Sequence, residues 1–343
     1  MKAVIFEEHG GPEVLHLADV PEPQIGPGEI LLRVRACALN HLDLWIRKGI
    51  PGIEVPLPHI SGSDIAGVVA KVGAGVDQPR AGDRVLLNPG LCCGQCEHCA
   101  AGQDSLCRQY TLFGYKVDGG YAEYVKSPAV NALPVPAFMN FEEAAAFPLV
   151  YLTAWHMLIT RASLRPGESV LVLGAGSGVG SAAIQIAKAS GARVIATAGT
   201  ETKLAKAKQL GADEAILHGD REWSRDVRQM TNKRGVDIVF EHVGQKTWDE
   251  SLKSLAPGGR LVTCGATTGY DGKMDIRYLF SRQLSILGSY MGSSGELASV
   301  LEFAERCKLK PVIDRVFPLA QAADAQRRLE SREQFGKIVL KVD

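Results

Sequence analysis

The sequence lacks an excess of either charge, an apolar run long enough to cross a bilayer, and a signal-peptide core. Its 38 Lys and Arg residues balance its 38 Asp and Glu residues, so nothing indicates the basic surface of a nucleic-acid-binding protein. The longest apolar run, residues 144–159, contains Pro148 and falls short of the ~20 residues that span a bilayer. Residues 1–6 are followed at once by Glu7 and Glu8, which excludes a secretory h-region. We therefore expect a cytoplasmic protein that binds neither membranes nor nucleic acid.

The first part of the chain has the pattern of an irregular β domain. The 343 residues are 46% hydrophobic and 22% charged, which is an ordinary globular composition, and this length corresponds to about two domains. Up to about residue 130, short apolar segments are separated by dense Gly and Pro. Strands are predicted at 29–35, 65–72 and 84–87.

From residue 169 the pattern alternates between strand and helix. The apolar run 170–173 predicts a parallel strand that is buried on both faces. Further strands are predicted at 193–197, 236–240 and 260–264, and helices at 182–187, at 201–210, in a segment ending near Pro257, and at 297–306. This alternation predicts an α/β fold with a doubly wound parallel sheet. A last strand at 337–342 is expected to return to the first domain.

Five of the eight cysteines fall between residues 92 and 107. Four of them, separated by two, two and seven residues, have the spacing of thiolate ligands around one tetrahedral Zn²⁺. These four are Cys93, Cys96, Cys99 and Cys107. A ferredoxin-type iron–sulfur run would continue with three residues and Cys-Pro, whereas here seven residues intervene and Arg108 follows. We predict one structural zinc, because four protein ligands leave no open position for a substrate, and we place Cys92 outside the ligand set.

A glycine-rich turn follows the predicted strand 170–173 and opens a helix. Small residues there let the backbone approach a pyrophosphate, and the helix N-terminus offers N–H groups and a favourable dipole. No frame gives a strict GxGxxG, since Ala175 and Ser177 occupy the first two glycine places in the frame that ends at Gly180. The turn therefore predicts a dinucleotide site, with a tight structural turn as the alternative. The candidate cofactor residues are Gly174, Gly176, Ser177, Gly178, Val179 and Gly180.

The second strand of this region lacks the acidic residue that selects NAD. A carboxylate at its end would bind the adenosine ribose 2′-hydroxyl, and Ala198 stands in that place. Nothing acidic would repel a 2′-phosphate there, while Thr200 and Lys203 could donate to it. The local pattern favours NADP(H) over NAD, unless Lys203 is only a solvated helix residue.

Together these motifs resemble the zinc-containing alcohol dehydrogenase and quinone oxidoreductase group of the medium-chain dehydrogenase/reductase superfamily. The resemblance covers essentially the whole chain and rests on residues 36–43, 62–67, 93–107, 119–124 and the turn at Gly174. It implies a chaperonin-10-like (GroES-like) β domain at 1–148, completed by 291–343, and a Rossmann domain at 149–290. It also implies an active site between these domains, a cofactor contact from Thr153, and a homodimer or homotetramer.

The departures from the family pattern fall on its catalytic metal site. The family's first zinc-ligating Cys falls on Asn40, its His on Ser63 and its second Cys on Leu149. The hydroxyl residue that relays the alcohol proton falls on Leu42, while Asp43 is kept without the His that it normally supports. Asn and Ser are poor zinc ligands and Leu is none. We therefore expect a site without catalytic zinc.

Without a Lewis acid, hydride transfer favours acceptors that delocalise the negative charge, such as quinones, enones and other activated carbonyl compounds or alkenes. Asn40 and Ser63 are candidate hydrogen-bond donors, with orientation of the nicotinamide as the alternative role of Asn40. Asp43 or His41 could supply or relay the proton, although a solvated role for His41 is equally open.

Two further hypotheses stay open at this level. One is a true alcohol dehydrogenase that recruits zinc with other residues, such as His41, His59 and Asp64. The other is a non-catalytic NADPH-binding protein, as lens crystallins of the quinone reductase branch exemplify.

Overall fold

The computed structural model describes residues 1–219 and 221–343, which form two compact units. The β unit comprises Met1–Leu149 and Ser293–Asp343, and the α/β unit comprises Val150–Gly292. Among the described residues, no helix combines the length and the apolar character that a bilayer crossing requires.

Strands and helices occur in both units. The strands are β1 (Lys2–Ile5), β2 (His16–Asp19), β3 (Glu29–Ala38), β4 (Asp64–Val72), β5 (Arg84–Leu87), β6 (Gly90–Leu91), β7 (Thr111–Leu112), β8 (Tyr124–Pro128), β9 (Ala132–Pro134), β10 (Ser169–Val172), β11 (Arg193–Ala198), β12 (Glu214–Leu217), β13 (Val236–Glu241), β14 (Leu255–Thr263), β15 (Ser285–Gly288), β16 (Ile313–Pro318) and β17 (Lys337–Lys341). The helices are α1 (His41–Lys48), α2 (Glu97–Ala100), α3 (Phe141–Ala145), α4 (Pro148–Trp155), α5 (Gly178–Ala189), α6 (Glu201–Gln209), α7 (Ser224–Met230), α8 (Trp248–Ser254), α9 (Ile276–Ser281), α10 (Ser294–Cys307) and α11 (Ala322–Glu330).

In the β unit, the long strand β3 organises the main sheet. The strand order is β16-β17-β3-β4-β5-β9, and β8 also pairs with β3. Ile30, Leu32 and Val34 of β3 are fully buried in the hydrophobic core, as their alternation predicts. The prediction that the last strand returns to the first domain is confirmed, because β17 pairs antiparallel with β3.

The α/β unit contains the doubly wound parallel sheet that the sequence predicts. Its strand order is β12-β11-β10-β13-β14-β15, with parallel pairing throughout. All residues of β10 are buried, as the apolar run predicts. The chain order reverses beside β10, between β11 and β13, and in folds of this type the crevice at such a reversal binds the ligand.

One predicted boundary in this unit is wrong. The helix expected to end near Pro257 is α8, which already ends at Ser254, and the following strand begins at Leu255 rather than at 260. The reason is local, because proline disfavours helical geometry in the residue before it. Leu255 is fully buried and pairs with Val236 of β13, which gives this extended segment a place in the sheet.

Candidate active site

Three side chains that are far apart in sequence meet at one end of β3. Asn40 follows β3, Asp64 is the first residue of β4 and Lys337 is the first residue of β17. Both neighbouring strands run antiparallel to β3, with Ala38 opposite Asp64 on one side and opposite Val339 on the other. The end of β3 therefore lies beside the beginnings of β4 and β17.

These three residues form a buried, hydrogen-bonded group that we call the Lys337 cluster. The Lys337 Nζ donates to Asp64 Oδ2 at 2.8 Å and to Asn40 Oδ1 at 2.6 Å. Asn40 Nδ2 donates to the same Asp64 oxygen at 3.0 Å. The exposed fractions are 0% for Asp64, 4% for Lys337 and 8% for Asn40. A charge buried this far is tolerated only when it is paired and hydrogen-bonded, and here both charges are.

The cluster fixes the orientation of the Asn40 amide. Because Oδ1 accepts from an ammonium group, Nδ2 must point the other way, towards Asp64 Oδ2 and towards the Ala38 carbonyl at a long 3.5 Å. The Ser63 hydroxyl is committed differently, since it is fully buried and donates to the Phe113 carbonyl at 2.7 Å. Of the two sequence-predicted donors, Asn40 thus keeps one weakly engaged N–H.

Asp43 lies on α1 in the core of the β unit. Its Oδ2 accepts from the Asn40 backbone N–H and from the Tyr121 hydroxyl, both at 2.9 Å. Its Oδ1 has no hydrogen-bond partner in the described part of the chain. Burial raises the pKa of Asp43 to about 6, despite these two hydrogen bonds and the nearby Lys337 charge, which all lower it. This carboxyl group therefore titrates close to neutral pH.

A buried arginine holds α1, and with it Asn40 and Asp43, against α11. The Arg47 guanidinium is fully buried and donates to Gln326 Oε1 at 2.7 Å and to Glu330 Oε1 at 2.6 Å. Its Nε donates to the Gly10 carbonyl. His41, at the first position of α1, is partly buried with its ring tilted against Trp45.

The residues of the alternative zinc site do not form a ligand group. His59 is buried, and its Nε2 contacts the Gly114 carbonyl at 3.1 Å, while burial lowers the pKa of the ring. Asp64 is paired with Lys337. Within residues 1–219 and 221–343, the only group of three or more potential Cys, His or carboxylate ligands is the cysteine set at 93–107.

That cysteine set has the geometry of a metal site. All of its sulfur atoms lie within 4.8 Å of one another, with Cys96 and Cys99 3.5 Å apart and Cys93 and Cys107 3.6 Å apart. Four thiolates at ~2.3 Å from a tetrahedral zinc would be about 3.8 Å from each other, so the spacing fits. Backbone N–H groups of Gln95 and Cys96 lower the pKa of Cys93 to about 6, whereas burial raises the pKa of Cys99. The neighbouring Cys92 is exposed and outside the group.

In the α/β unit, the glycine-rich turn joins β10 to α5 at the switch point of the sheet. Ser177 is the N-cap of α5, and its hydroxyl accepts from Gly180 N at 2.8 Å. Gly180 has no room for a side chain, because a Cβ would lie 2.4 Å from the Gly174 carbonyl oxygen. The first-turn N–H groups, at Gly178 and Val179, have no intrahelical acceptor and are suited to an anion. Gly176 lies within the turn itself.

Thr200 and Lys203, which the sequence predicts for the adenosine side of a dinucleotide, follow the end of β11. Thr200 caps α6 by accepting from Lys203 N. Burial lowers the pKa of the His218 ring, and the nearby Lys203 charge lowers it further. His218 Nδ1 contacts Thr197 Oγ1 at 2.9 Å. Thr153 lies on α4, and its hydroxyl contacts Met291 Sδ at 3.9 Å.

Sequence reasoning missed Lys337 and His218. Only strand pairing brings these two residues to their partners. The pairing of β17 brings Lys337 to Asn40, and the pairing of β12 brings His218 to Thr197. The one available signal for Lys337 was a cation directly before the apolar residues 338–340. His218 carries no comparable signal.

The raised pKa of Asp43 predicts a pH-dependent stability difference. The ordinary value of 3.8 for this carboxyl applies in the unfolded chain, and the folded value is about 6, so ionisation above pH 4 opposes folding. We expect Asp43→Asn, which keeps an acceptor oxygen for Asn40 and Tyr121, to gain about 2 kcal/mol relative to the wild type between pH 4.5 and 7.5. Urea unfolding at both pH values measures this, and a constant difference between the two proteins would contradict it.

Comparison with known proteins agrees with this architecture. Residues 26–137 match the alcohol dehydrogenase GroES-like domain, and residues 178–306 match the zinc-binding dehydrogenase domain. A quinone oxidoreductase of Rattus norvegicus is 34% identical and is covered to 97%, with 99% of this chain aligned. The crystal structure of an NAD-dependent alcohol dehydrogenase is 51% identical with a TM-score of 0.97, and both chains are fully covered.

A solved crotonyl-CoA carboxylase/reductase is also similar, at 30% identity and a TM-score of 0.94, with 100% of this chain and 88% of that one aligned. These three alignments cover 99–100% of this chain. The chain therefore belongs to the zinc-type alcohol dehydrogenase and quinone oxidoreductase family, and it is a medium-chain oxidoreductase with a GroES-like domain and a Rossmann-like domain.

Proposed function

We propose that this enzyme transfers hydride from NADPH to a quinone, an enone or another activated carbonyl compound or alkene without a catalytic zinc. One observation carries the proposal: at the family's catalytic-metal position, the Asn40 side chain is engaged in the Lys337 cluster and the Ser63 hydroxyl donates to the Phe113 carbonyl. Asn40 and Leu149 stand where the resemblance expects thiolates, and the adjacent carboxylate of Asp64 is already neutralised by an ammonium group.

The donor set at this position does not fit zinc. Zinc prefers thiolate, imidazole and carboxylate ligands, and it would have to displace Lys337 from Asp64 in a buried place. The Leu149 side chain offers no ligand atom, and its backbone N–H donates to Asp64 Oδ1 at 2.8 Å. Ser63 Oγ is held by the Phe113 carbonyl. The proposed reaction therefore includes no metal-dependent step.

The cofactor site is assigned to the α/β unit. The turn from Gly174 to Gly180 would receive the pyrophosphate, and Thr200 and Lys203, with His218 beside them, would surround the adenosine ribose. When bound, the reduced nicotinamide supplies a hydride, that is, two electrons and one proton. The absence of an acidic residue at Ala198 supports NADPH over NADH.

The residues of the β unit would manage the charge and the proton that remain on the acceptor. Hydride addition leaves negative charge on a phenolate or enolate oxygen, which a hydrogen-bond donor can stabilise. We assign this to the weakly engaged N–H of Asn40. Asp43, whose pKa is about 6, is the candidate to hold or relay the second proton, with His41 as the other candidate.

Relatives support this range of acceptors without selecting one. The similar proteins include a quinone oxidoreductase and a crotonyl-CoA carboxylase/reductase, whose names specify a quinone and an unsaturated thioester. An alcohol dehydrogenase is similar as well, and it is named as NAD-dependent. Alcohol oxidation with NAD is therefore the second candidate function.

The proposal is tested by metal content and substrate range measured on the same preparation. We expect one zinc per chain and NADPH oxidation that requires a quinone, an enone or an enal. Two tightly bound zinc ions together with alcohol oxidation would establish the alcohol dehydrogenase instead. Tight NADPH binding without turnover of any acceptor in the panel would indicate a non-catalytic binding protein.

The structural zinc is tested by replacing one thiolate. We expect Cys96→Ser to reduce the zinc content from one per chain to none and to increase proteolysis within residues 90–110, because three thiolates no longer close the site. Cys92→Ser is the matched control and should keep its zinc. Retention of zinc by Cys96→Ser would contradict the ligand assignment, and loss of NADPH binding would show that the loop and the cofactor site are not independent.

The cofactor preference is tested at the end of β11. Ala198→Asp should weaken NADPH binding by at least tenfold more than NADH binding, because a carboxylate repels the 2′-phosphate and binds a free ribose hydroxyl. Ala198→Asn has the same size without the charge and controls for the limited space around this buried residue. Fluorescence titration with both cofactors gives the two dissociation constants. Equal weakening of NADPH and NADH binding by Asp would refute the phosphate argument.

A further inference from the structure

Lys337 is a buried cation to which the proposed reaction assigns no role. Its side chain is 4% exposed and lies at the start of β17, where its ammonium group donates hydrogen bonds to Asp64 and Asn40. The pairing with Asp64 explains how the charge is tolerated. It does not explain why the chain has an ion pair here, since two apolar residues would pack as well at such a position.

The hydrogen bond to Asn40 connects this cation with the reaction, because Asn40 is the proposed donor to the oxyanion. A positively charged donor hydrogen-bonded to Oδ1 draws electron density from the carboxamide, so that the Nδ2–H groups become stronger donors. It also prevents the amide from turning over, because the opposite orientation would set two Nδ2 hydrogens against the ammonium group. Asn40 is therefore held with its oxygen towards Lys337 and its nitrogen towards Asp64 Oδ2 and the Ala38 carbonyl.

We propose that Lys337 is a positioning residue of the reductase reaction, which orients and polarises the Asn40 amide so that it stabilises the developing oxyanion. This inference rests on the proposed function. Lys337 then supplies, through an amide, part of the positive charge that a metal ion supplies in zinc-dependent relatives. The proposal requires no direct contact between Lys337 and the substrate.

The test separates the charge from the hydrogen bond. Lys337→Met removes both, Lys337→Gln keeps a neutral donor, and Lys337→Arg keeps the cation. Lys341→Met, on the exposed end of the same strand, is the matched control. For each variant, kcat and KM with one quinone or enone acceptor are measured, together with NADPH affinity and thermal unfolding.

We expect Lys337→Met to lower kcat by about 100-fold, as the loss of an oxyanion donor does, with NADPH affinity within about threefold of wild type. Lys337→Gln should lose about tenfold and Lys337→Arg less than that. If the Met variant does not fold, the comparison of Gln with Arg decides. A folded Met variant with near-wild-type kcat, or Gln equal to Arg, would overturn the proposal.

The pH dependence of kcat distinguishes an electrostatic role of Lys337 from a purely structural one. The charged and titratable groups that face Asp43 are Lys337 of β17, Asp64 of β4, Cys37 of β3 and the Tyr121 hydroxyl. Asp43 must be protonated to donate, and Lys337 lowers its pKa, so removal of Lys337 should move the alkaline limb of the kcat profile to higher pH. An unmoved limb in Lys337→Gln would count against an electrostatic role. Wild-type enzyme that oxidises no NADPH with any acceptor defeats the proposed function as a whole, whereas an active wild type with unaffected Lys337 variants defeats only this inference.

Discussion

The buried ion pair between Lys337 and Asp64 is the interaction on which the candidate active site depends. It joins the first residue of the last strand to the first residue of β4, across the end of β3. Removing either partner would leave an uncompensated buried charge, which typically costs about 3–5 kcal/mol. The same pair orients Asn40 and lies close enough to influence Asp43. One ionic contact thus links the beginnings of β4 and β17 and positions the polar groups of the candidate site.

The chemistry that we propose follows from what this pair replaces. In a zinc-dependent relative, a metal with anionic ligands would provide the positive charge beside the substrate. Here a carboxylate, a carboxamide and an ammonium group provide a fixed arrangement that is neutral overall in formal charge. Such a group is a weaker electrophile than zinc. It suits acceptors that spread their negative charge over a conjugated system, and it suits alkoxides less well.

The cysteine-rich segment and the glycine-rich turn do not depend on the Lys337 cluster. The thiols at 93–107 hold a short loop by contacts among residues that are close in sequence. The turn at Gly174 likewise depends on local geometry, since Gly180 must approach the Gly174 carbonyl and Ser177 must cap the helix. Both features follow directly from spacing in the sequence. Lys337 and His218 do not, because strand pairing brings them to partners that lie far away in sequence.

The sequence by itself determined the fold class, and it carries the predictions of a cysteine ligand set, a phosphate-binding turn and a site without catalytic zinc. Each of these depends on residue type and on short spacing, which the chain preserves before it folds. Only the tertiary structure decided which hydrogen bonds the remaining polar residues make. Ser63 and Asn40 look equivalent as donors in the sequence, yet one is committed to the Phe113 carbonyl and the other is held by a cation 297 positions away. Burial, and therefore the pKa of Asp43, is likewise a property of the packed sheet and not of the residues around position 43.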